Sequence, residues 1–255
     1  MKNKIKRNEQ LLNKIRLEQQ TTLEALAEYF DVSTATIRRD IKDLEQEGLV
    51  IQAVGGLIRY SQERTGAVDP RRSTHAIEEK IRIAEYCSEL VQDQDDILVG
   101  PGTTTFLAGK IMSGITDRTF RIITNSLELA LETSTVDTIS TVLIGGEIWN
   151  KHTMGTGTAE FFAGCHLNHI LLLSADGIDV NRGITVYESR LFSLLNQMID
   201  VSSRIILAAD SSKFGKVRYH RLGPLSMVHQ IVTDTGLDMT LANEIKQLGV
   251  DLVMV

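Results

Sequence analysis

Six short runs of apolar, largely β-branched residues follow one another in the C-terminal part of the chain, and they constrain its fold more than any other feature. Stretches with helical spacing or turn residues separate them. Apolar runs of this length are typical of strands that are covered on both faces, and such strands alternating with helices form parallel sheets. The sequence therefore predicts an α/β fold with a parallel sheet. The runs are residues 97–99, 120–124, 141–144, 170–173, 204–209 and 231–233.

Glycine or polar residues occur at the ends of five of these runs. Ligands of parallel α/β sheets bind beyond the carboxyl ends of the strands. The turn at 100–105, Gly-Pro-Gly-Thr-Thr-Thr, opens a predicted helix, and its free backbone N–H groups suit a phosphate. The Gly/Thr loop alone is also explained as a plain turn, but the five segments together predict a small-molecule site. The other four segments are 124–126, 145–147, 176–179 with Gly183, and 210–215.

A polar stretch at 61–74 contains Gly66 and Pro70 and has no periodicity. Such a stretch is typical of a linker. We therefore predict an N-terminal domain over 1–60, a linker over 61–74 and a larger domain over 75–255. No apolar run approaches the roughly 20 residues of a membrane span, and no hydrophobic stretch follows the lysine-rich N-terminus. We expect a cytoplasmic protein that has no membrane partner.

Two short helices in tandem are predicted before the linker. Thr22 is suited to cap a helix over 23–30, and Ser33 is suited to cap a second helix over 34–44. Two apolar runs around the pair Gly55-Gly56 then predict a two-stranded hairpin. Two helices and a hairpin in this order are the layout of a winged helix-turn-helix. The strands of the hairpin are predicted over 49–51 and 57–60.

The second helix divides its residues between two faces. Ile37, Ile41 and Leu44 recur at helical intervals and are predicted to point inward. The outward side chains carry hydroxyl, guanidinium and ammonium donors, which suit base edges and phosphates in a major groove. We therefore predict that this is the recognition helix. Its outward residues are Thr34, Thr36, Arg38, Arg39 and Lys42.

The net charge of −6 argues against nucleic acid only if the charge is spread evenly. The acidic excess belongs to the residues after 60, whereas basic residues cluster near the N-terminus, Lys4 and Arg7 among them, and again on the second helix. Such clusters neutralise phosphates even on an acidic protein. On charge alone, ordinary solvated helix faces explain them equally well.

Four segments of the N-terminal domain resemble the signature of the DeoR family of repressors, and the C-terminal domain resembles the sensor domain of that family, which is itself similar to ribose-5-phosphate isomerase. One departure lies in the hairpin, where Ile51-Gln52-Ala53-Val54 lacks the arginine and histidine that family members carry before the paired glycines. The segments are Leu-Ala-Glu-Tyr-Phe-Asp-Val-Ser at 26–33, Thr-Ile-Arg-Arg-Asp at 36–40, Leu-Glu-Gln-Glu-Gly at 44–48, and Gly55-Gly56.

The resemblance implies a transcriptional repressor of a carbohydrate-utilisation operon. Its affinity for a double-stranded operator would be controlled by a phosphorylated sugar or polyol bound in the C-terminal domain. A dimer or tetramer is expected, because one recognition helix contacts too few base pairs. The residues that we predict to bind DNA are Lys4, Arg7, Ser33, Thr34, Thr36, Arg38, Arg39, Lys42 and Arg59.

The resemblance also implies roles at the effector site. The backbone of Gly102, Thr103, Thr104 and Thr105 would hold the phosphate, and Lys213 would add a positive charge. Facing the hydroxyl groups would be Asn125, Asp176 and Glu188, with Gly146 in the same site. Alternatives stay open: Asn125 and Asp176 are also explained as helix caps, and Lys213 as a solvated loop lysine.

Catalysis is not expected, because the isomerase motif Asp-Gly-Ala-Asp corresponds to Leu173-Ser174-Ala175-Asp176, which has lost one acid. We predict no catalytic residue, metal or cofactor. An architectural DNA binder, whose large domain only oligomerises, is a third possibility that the polar strand ends disfavour. Cys87 and Cys165 are predicted to be buried apolar residues.

Overall fold

The computed structural model describes residues 7–8, 10–12, 14–15, 18, 20–46, 50–52, 56–60, 76–149, 152–154, 161–162 and 169–255. The chain divides into two compact units, 1–75 and 76–255, and each is described by itself. The predicted linker at 61–74, Lys4 and Cys165 lie outside the described residues.

The first unit has the two tandem helices that the sequence predicts. The described residues between 7 and 18 are helical. The caps confirm the predicted starts: Thr22 Oγ1 accepts a hydrogen bond from Ala25 N at 3.2 Å, and Ser33 Oγ accepts one from Thr36 N at 3.2 Å. Asp31, with φ of 51°, ends the first helix in the left-handed region and makes the tight turn. The elements are β1 (Gln20–Thr22), α1 (Leu23–Phe30), α2 (Thr34–Gln46), β2 (Val50–Gln52) and β3 (Leu57–Tyr60).

The wing differs from the prediction. It is a three-stranded antiparallel sheet in the order β1-β3-β2, where a two-stranded hairpin was predicted. Thr21 pairs with Ile58, and both are buried. A three-residue strand is too short to show alternation, and Thr22 at its end also caps α1, so the local pattern indicates only the cap.

The second unit is built on a seven-stranded sheet in the order β15-β14-β12-β9-β4-β5-β6, and every pair in it is parallel. This confirms the predicted α/β fold. The strands of this sheet are β4 (Asp96–Val99), β5 (Phe120–Thr124), β6 (Ile139–Leu143), β9 (His169–Leu173), β12 (Ser202–Ala208), β14 (Gln230–Thr233) and β15 (Asp251–Met254).

The helices cover both faces of this sheet. Alternate strand residues enter two separate cores: Leu98 packs in the core that includes residues of α6 and α7, whereas Ile97 and Val99 pack in the core with α3 and α4. Cys87 of α3 is buried as predicted, and burial raises the pKa of its thiol to about 12. The helices are α3 (Ile77–Glu89), α4 (Thr103–Met112), α5 (Leu127–Thr133), α6 (Ser189–Asp200) and α7 (Met239–Gln247).

Further short strands of the second unit were not predicted. β7 (Glu147–Trp149) and β8 (His152–Met154) form an antiparallel hairpin. β10 (Gly177–Asp179), β11 (Gly183–Val186) and β13 (His220–Gly223) form a small antiparallel sheet, and β15 adds an edge strand to the main sheet. Each is only three or four residues long, so no periodicity marks it. Among the helices in the described part of the chain, none is both long and apolar enough to cross a membrane.

Candidate DNA-binding face and effector site

One face of α2 is buried and the opposite face carries the predicted DNA-binding side chains. Ile37 and Ile41 are fully buried, which holds the helix against the first unit. Thr34, Arg38 and Lys42 are exposed and follow one another at four-residue intervals, so they lie along one side of the helix. This arrangement presents a hydroxyl and two cations to a partner outside the unit.

Three further predicted residues lie beside this row. Arg39 is exposed next to Arg38. The hydroxyl of Thr36 is half-buried and lies 2.9 Å from the hydroxyl of Ser33, in a hydrogen bond that either atom could donate. Both threonine and serine therefore take part in the start of the helix, in addition to the DNA contacts predicted for them.

Arg7 has an internal partner that the sequence did not indicate. Its Nε donates to Oδ2 of Asp40 at 2.6 Å, and the side chain of Asp40 is only 2% exposed. This hydrogen bond raises the pKa of Arg7 above its ordinary value. The pair links the N-terminal helical segment to α2, so any contact of Arg7 with DNA is left to its terminal guanidinium nitrogens.

Arg59 lies in the central strand of the wing, where its backbone pairs with Gln20 and Ile51. Its side chain, like the whole of Lys4, falls outside the described part of the chain. For these two residues DNA binding stays a prediction.

In the second unit, the turn after β4 is held rigidly by hydrogen bonds of its own. Thr105 is fully buried, and its hydroxyl donates to the carbonyl oxygens of Gly100 at 2.6 Å and Gly102 at 3.1 Å. Ser174 Oγ donates to the carbonyl oxygen of Pro101 at 2.8 Å. A Cβ atom at position 102 would overlap the hydroxyl of Ser174, so only glycine fits there.

The N-terminus of α4 has no side-chain cap. Gly102 precedes the helix and supplies no side-chain cap, and the first N–H groups of a helix have no partner within it. Thr103 is half-buried, whereas Thr104 and Thr105 are buried. The predicted phosphate contacts therefore fall to the backbone of this turn, because the Thr105 hydroxyl proton already serves the turn itself.

Asn125 follows β5, the strand beside β4, and is fully buried. Its Nδ2 donates to the carbonyl oxygen of Thr153 in β8 at 3.1 Å, so it ties the β7–β8 hairpin to the edge of the sheet. Oδ1 is buried and has no hydrogen-bond partner among the described residues. The cap of α5 is Ser126, whose Oγ accepts from Leu129 N. Gly146, exposed, precedes the same hairpin.

Asp176 and Glu188 are both half-buried and accept hydrogen bonds from the backbone. Asp176 Oδ2 accepts from Tyr187 N at 2.9 Å. Glu188 Oε1 accepts from Arg190 N at 3.2 Å and caps α6. The two carboxylates therefore order the segment between β11 and α6. Sequence reasoning missed Arg218, whose Nε donates to the carbonyl oxygen of Asp176 at 3.1 Å.

Lys213 is half-buried in a short 3-10 turn, Ser211–Lys213, that follows β12. The backbone N–H of Ser211 donates to Asp234 Oδ1 at 2.6 Å. Beneath the turn lies a buried lysine, Lys80, which sequence reasoning also missed. The sequence does contain an indication of it. Lys80 lies on the apolar stripe of α3, where burying a cation without a partner is costly, so a lysine there indicates a buried partner.

The strand order brings most of the predicted effector residues to one edge. β12, β9, β4 and β5 are consecutive neighbours, so the segments after them lie side by side at their carboxyl ends. These segments carry Lys213, Asp176, the 102–105 turn and Asn125. The edge thus combines an uncapped helix N-terminus, cations and hydrogen-bonding groups, which suits a small, polar, anionic ligand.

Residues 7–63 match the family model of the DeoR-like helix-turn-helix domain, and residues 75–235 match that of the DeoR C terminal sensor domain. The chain is 26% identical to a putative aga operon transcriptional repressor of Escherichia coli O157:H7, over 98% of this chain and 93% of that protein. It is 31% identical to the transcriptional repressor AccR of Agrobacterium fabrum, over 90% of this chain and 89% of the relative. The glycerol-3-phosphate regulon repressor of Escherichia coli K12 is 26% identical, over 89% of this chain and 90% of its own.

Two solved structures are also similar. One is a ribose-5-phosphate isomerase in complex with phospho-erythronic acid, with a TM-score of 0.40 and 16% identity over 54% of each chain. The other is a translation initiation factor eIF-2B from Pyrococcus horikoshii OT3, with a TM-score of 0.46 and 15% identity over 89% of this chain and 86% of the other.

Proposed function

The chain belongs to the DeoR family of transcriptional regulators, and we propose that it represses a carbohydrate-utilisation operon under the control of a phosphorylated sugar or polyol. The observation that carries the proposal is the pairing, in one chain, of two surfaces. One is the exposed row Thr34, Arg38 and Lys42 on a helix whose other face is buried. The other is the uncapped N-terminus of α4 at the carboxyl edge of a parallel sheet.

At the operator, the row on α2 contacts base edges in the major groove, while the N-terminal lysines and Arg59 contact phosphates. Two copies of the chain bind together, since two recognition helices double the length of DNA that is recognised. These contacts and the dimer or tetramer are supported by the match to the helix-turn-helix model and by the exposure of the row.

At the effector site, the backbone of 102–105 binds the phosphate and Lys213 adds a positive charge. Asn125, Asp176 and Glu188 face the hydroxyl groups, with Gly146 beside them. The match to a sensor-domain model and the name of the glycerol-3-phosphate regulon repressor support this class of effector. The domain senses its ligand without converting it, because Leu173 stands where the isomerase motif has an acid.

The experiment combines thermal unfolding with operator titration. A ligand that binds the folded state raises the melting temperature. We expect one of glycerol 3-phosphate, ribose 5-phosphate, fructose 6-phosphate or a related ester to raise it, and to change operator affinity by about 5- to 150-fold. If no phosphate ester shifts the melting temperature, the large domain only oligomerises, and turnover of an ester above background would make it an enzyme.

Lys213→Ala is the matched variant for this experiment. Its side chain is half-buried at the sheet edge, in the unit that does not contain α2. We expect operator binding to remain and the response to the phosphate ester to be lost, because the ester's negative charge then lacks its cation. An unchanged response would remove Lys213 from the effector site.

A further inference from the structure

A buried ion pair lies under the turn that carries Lys213. Lys80 and Asp210 are each 1% exposed, and 3.9 Å separates Lys80 Nζ from Asp210 Oδ2. The separation is longer than a hydrogen bond, and Oδ2 accepts none from the residues that the structure describes. Replacing a buried ion pair with apolar residues of similar volume often leaves the protein at least as stable. The stability of the fold therefore does little to explain why this pair is present.

The other oxygen of Asp210 holds the turn in place. Oδ1 accepts a hydrogen bond from Ser212 N at 3.2 Å and a second from the Ser212 hydroxyl, and the Asp210 carbonyl oxygen accepts one from Lys213 N at 3.0 Å. A rotation of this carboxylate would break both bonds to Ser212, the middle residue of the turn. The orientation of the Asp210 carboxylate thus helps to hold the turn that ends at Lys213.

Lys80, which faces that carboxylate, lies on a helix that is packed in the core. It lies in the first turn of α3, and its backbone N–H donates to the carbonyl oxygen of Ala76 at 3.0 Å. α3 packs against α4, β12 and β14, and its residues Ile83 and Cys87 are buried in the core between them. The helix that carries the Lys80 ammonium group is therefore fixed by packing in the core, whereas the turn Ser211–Lys213 is not.

We propose that Lys80 is a positioning residue of the effector site. It attracts Oδ2 of Asp210, so that Oδ1 stays directed at Ser212 and the turn presents Lys213 at the carboxyl edge of the sheet. The inference rests on the proposed function, because it assumes that Lys213 meets a phosphate there. It adds a residue of α3 to the determinants of phosphate affinity.

The variants are Lys80→Met, Asp210→Asn and the double variant Lys80→Met/Asp210→Asn. Each single change removes one charge of the buried ion pair and leaves the other buried, which is strongly destabilising. The double variant removes both charges and keeps an amide oxygen at position 210 for Ser212, so it folds even where a single variant does not. Asp234→Asn is the control, because Asp234 is a second buried carboxylate that holds the same turn.

Calorimetric titrations with glycerol 3-phosphate and with inorganic phosphate test the proposal, alongside thermal unfolding and operator binding. For the double variant we expect a melting temperature near that of the parent and unchanged operator affinity. Its affinity for glycerol 3-phosphate and for inorganic phosphate falls about tenfold, because even a small displacement of the Lys213 ammonium group from its position is costly. In the absence of ligand, hydrogen exchange at residues 211–213 is faster in the double variant than in the parent.

Parent-like phosphate affinity in the double variant would overturn the proposal, since the pair would then serve only the fold. A parent chain that binds neither compound would overturn the phosphate site itself, and the positioning role with it. Asp234→Asn separates the two anchors of the turn: an equal loss of affinity in this variant and in the double variant, with equal loss of stability, would assign the effect to general loosening of the turn.

Discussion

Burial separates side chains of α2 that can reach DNA from those that hold the helix. Arg38 is exposed, and its neighbour Ile37 is fully buried. If Arg38 contacts a base edge as proposed, we expect Arg38→Ala to weaken operator binding by about 1–3 kcal/mol and to relax specificity at one base pair, because that contact is lost. Anisotropy titrations on operator and random DNA measure both effects. Equal losses on the two DNAs would show that Arg38 contacts only phosphate.

Arg7 differs from Arg38, because its side chain has a partner within the first unit. The Arg7→Ala variant leaves the buried carboxylate of Asp40 without the guanidinium that lies 2.6 Å away. We expect the first unit to lose about 1–3 kcal/mol of unfolding free energy, the cost of an unsatisfied buried group. Urea unfolding followed by circular dichroism measures it.

Asp40→Asn is the control for Arg7→Ala, because it keeps an acceptor and removes the buried charge. We expect a smaller loss of stability than for Arg7→Ala. If Arg7→Ala leaves the unfolding free energy unchanged while weakening DNA binding, then Arg7 serves the DNA phosphates and its link to Asp40 is unimportant.

Among the elements, the turn between β4 and α4 depends on a close approach. A Cβ atom at position 102 would overlap the side chain of Ser174, whereas one at Gly145 would meet nothing within 4 Å among the described residues. We expect Gly102→Ala to destabilise the second unit by about 1–3 kcal/mol, as overpacking does, and to abolish the phosphate response. Gly145→Ala changes neither quantity. A Gly102→Ala chain that unfolds and responds like the parent would contradict this account of the turn.

The same elements show how far sequence patterns reach. Six strands of the main sheet were predicted from continuous apolar runs, and the helices α1 and α2 were predicted with the help of their caps, Thr22 and Ser33. β1, β10 and β15 were not predicted. β1 pairs with β3 and β15 with β14, which lie in other parts of the chain, whereas β10 pairs with the nearby β11. The residues of the effector site were predicted from their positions after the strands and from the family resemblance, and their roles stay predictions.

At the scale of the whole molecule, the proposed two-fold assembly predicts an operator with two half-sites. We expect the protein to sediment as a dimer or tetramer and to protect two half-sites whose centres lie about 10 base pairs, or a multiple of that, apart on the operator. Analytical ultracentrifugation and footprinting measure these quantities. A monomer that protects a single half-site with full affinity would contradict the proposed assembly.

Local sequence alone determined the predicted recognition helix, six of the seven strands of the parallel sheet and the polar residues at the strand ends, because apolar patterning and capping act within a few neighbouring residues. Only the tertiary structure decided which distant groups meet: Lys80 with Asp210, Arg7 with Asp40, and Asn125 with Thr153. These contacts join residues of different elements, and the free energy of burying a charge or an amide depends on the partner that the fold brings to it.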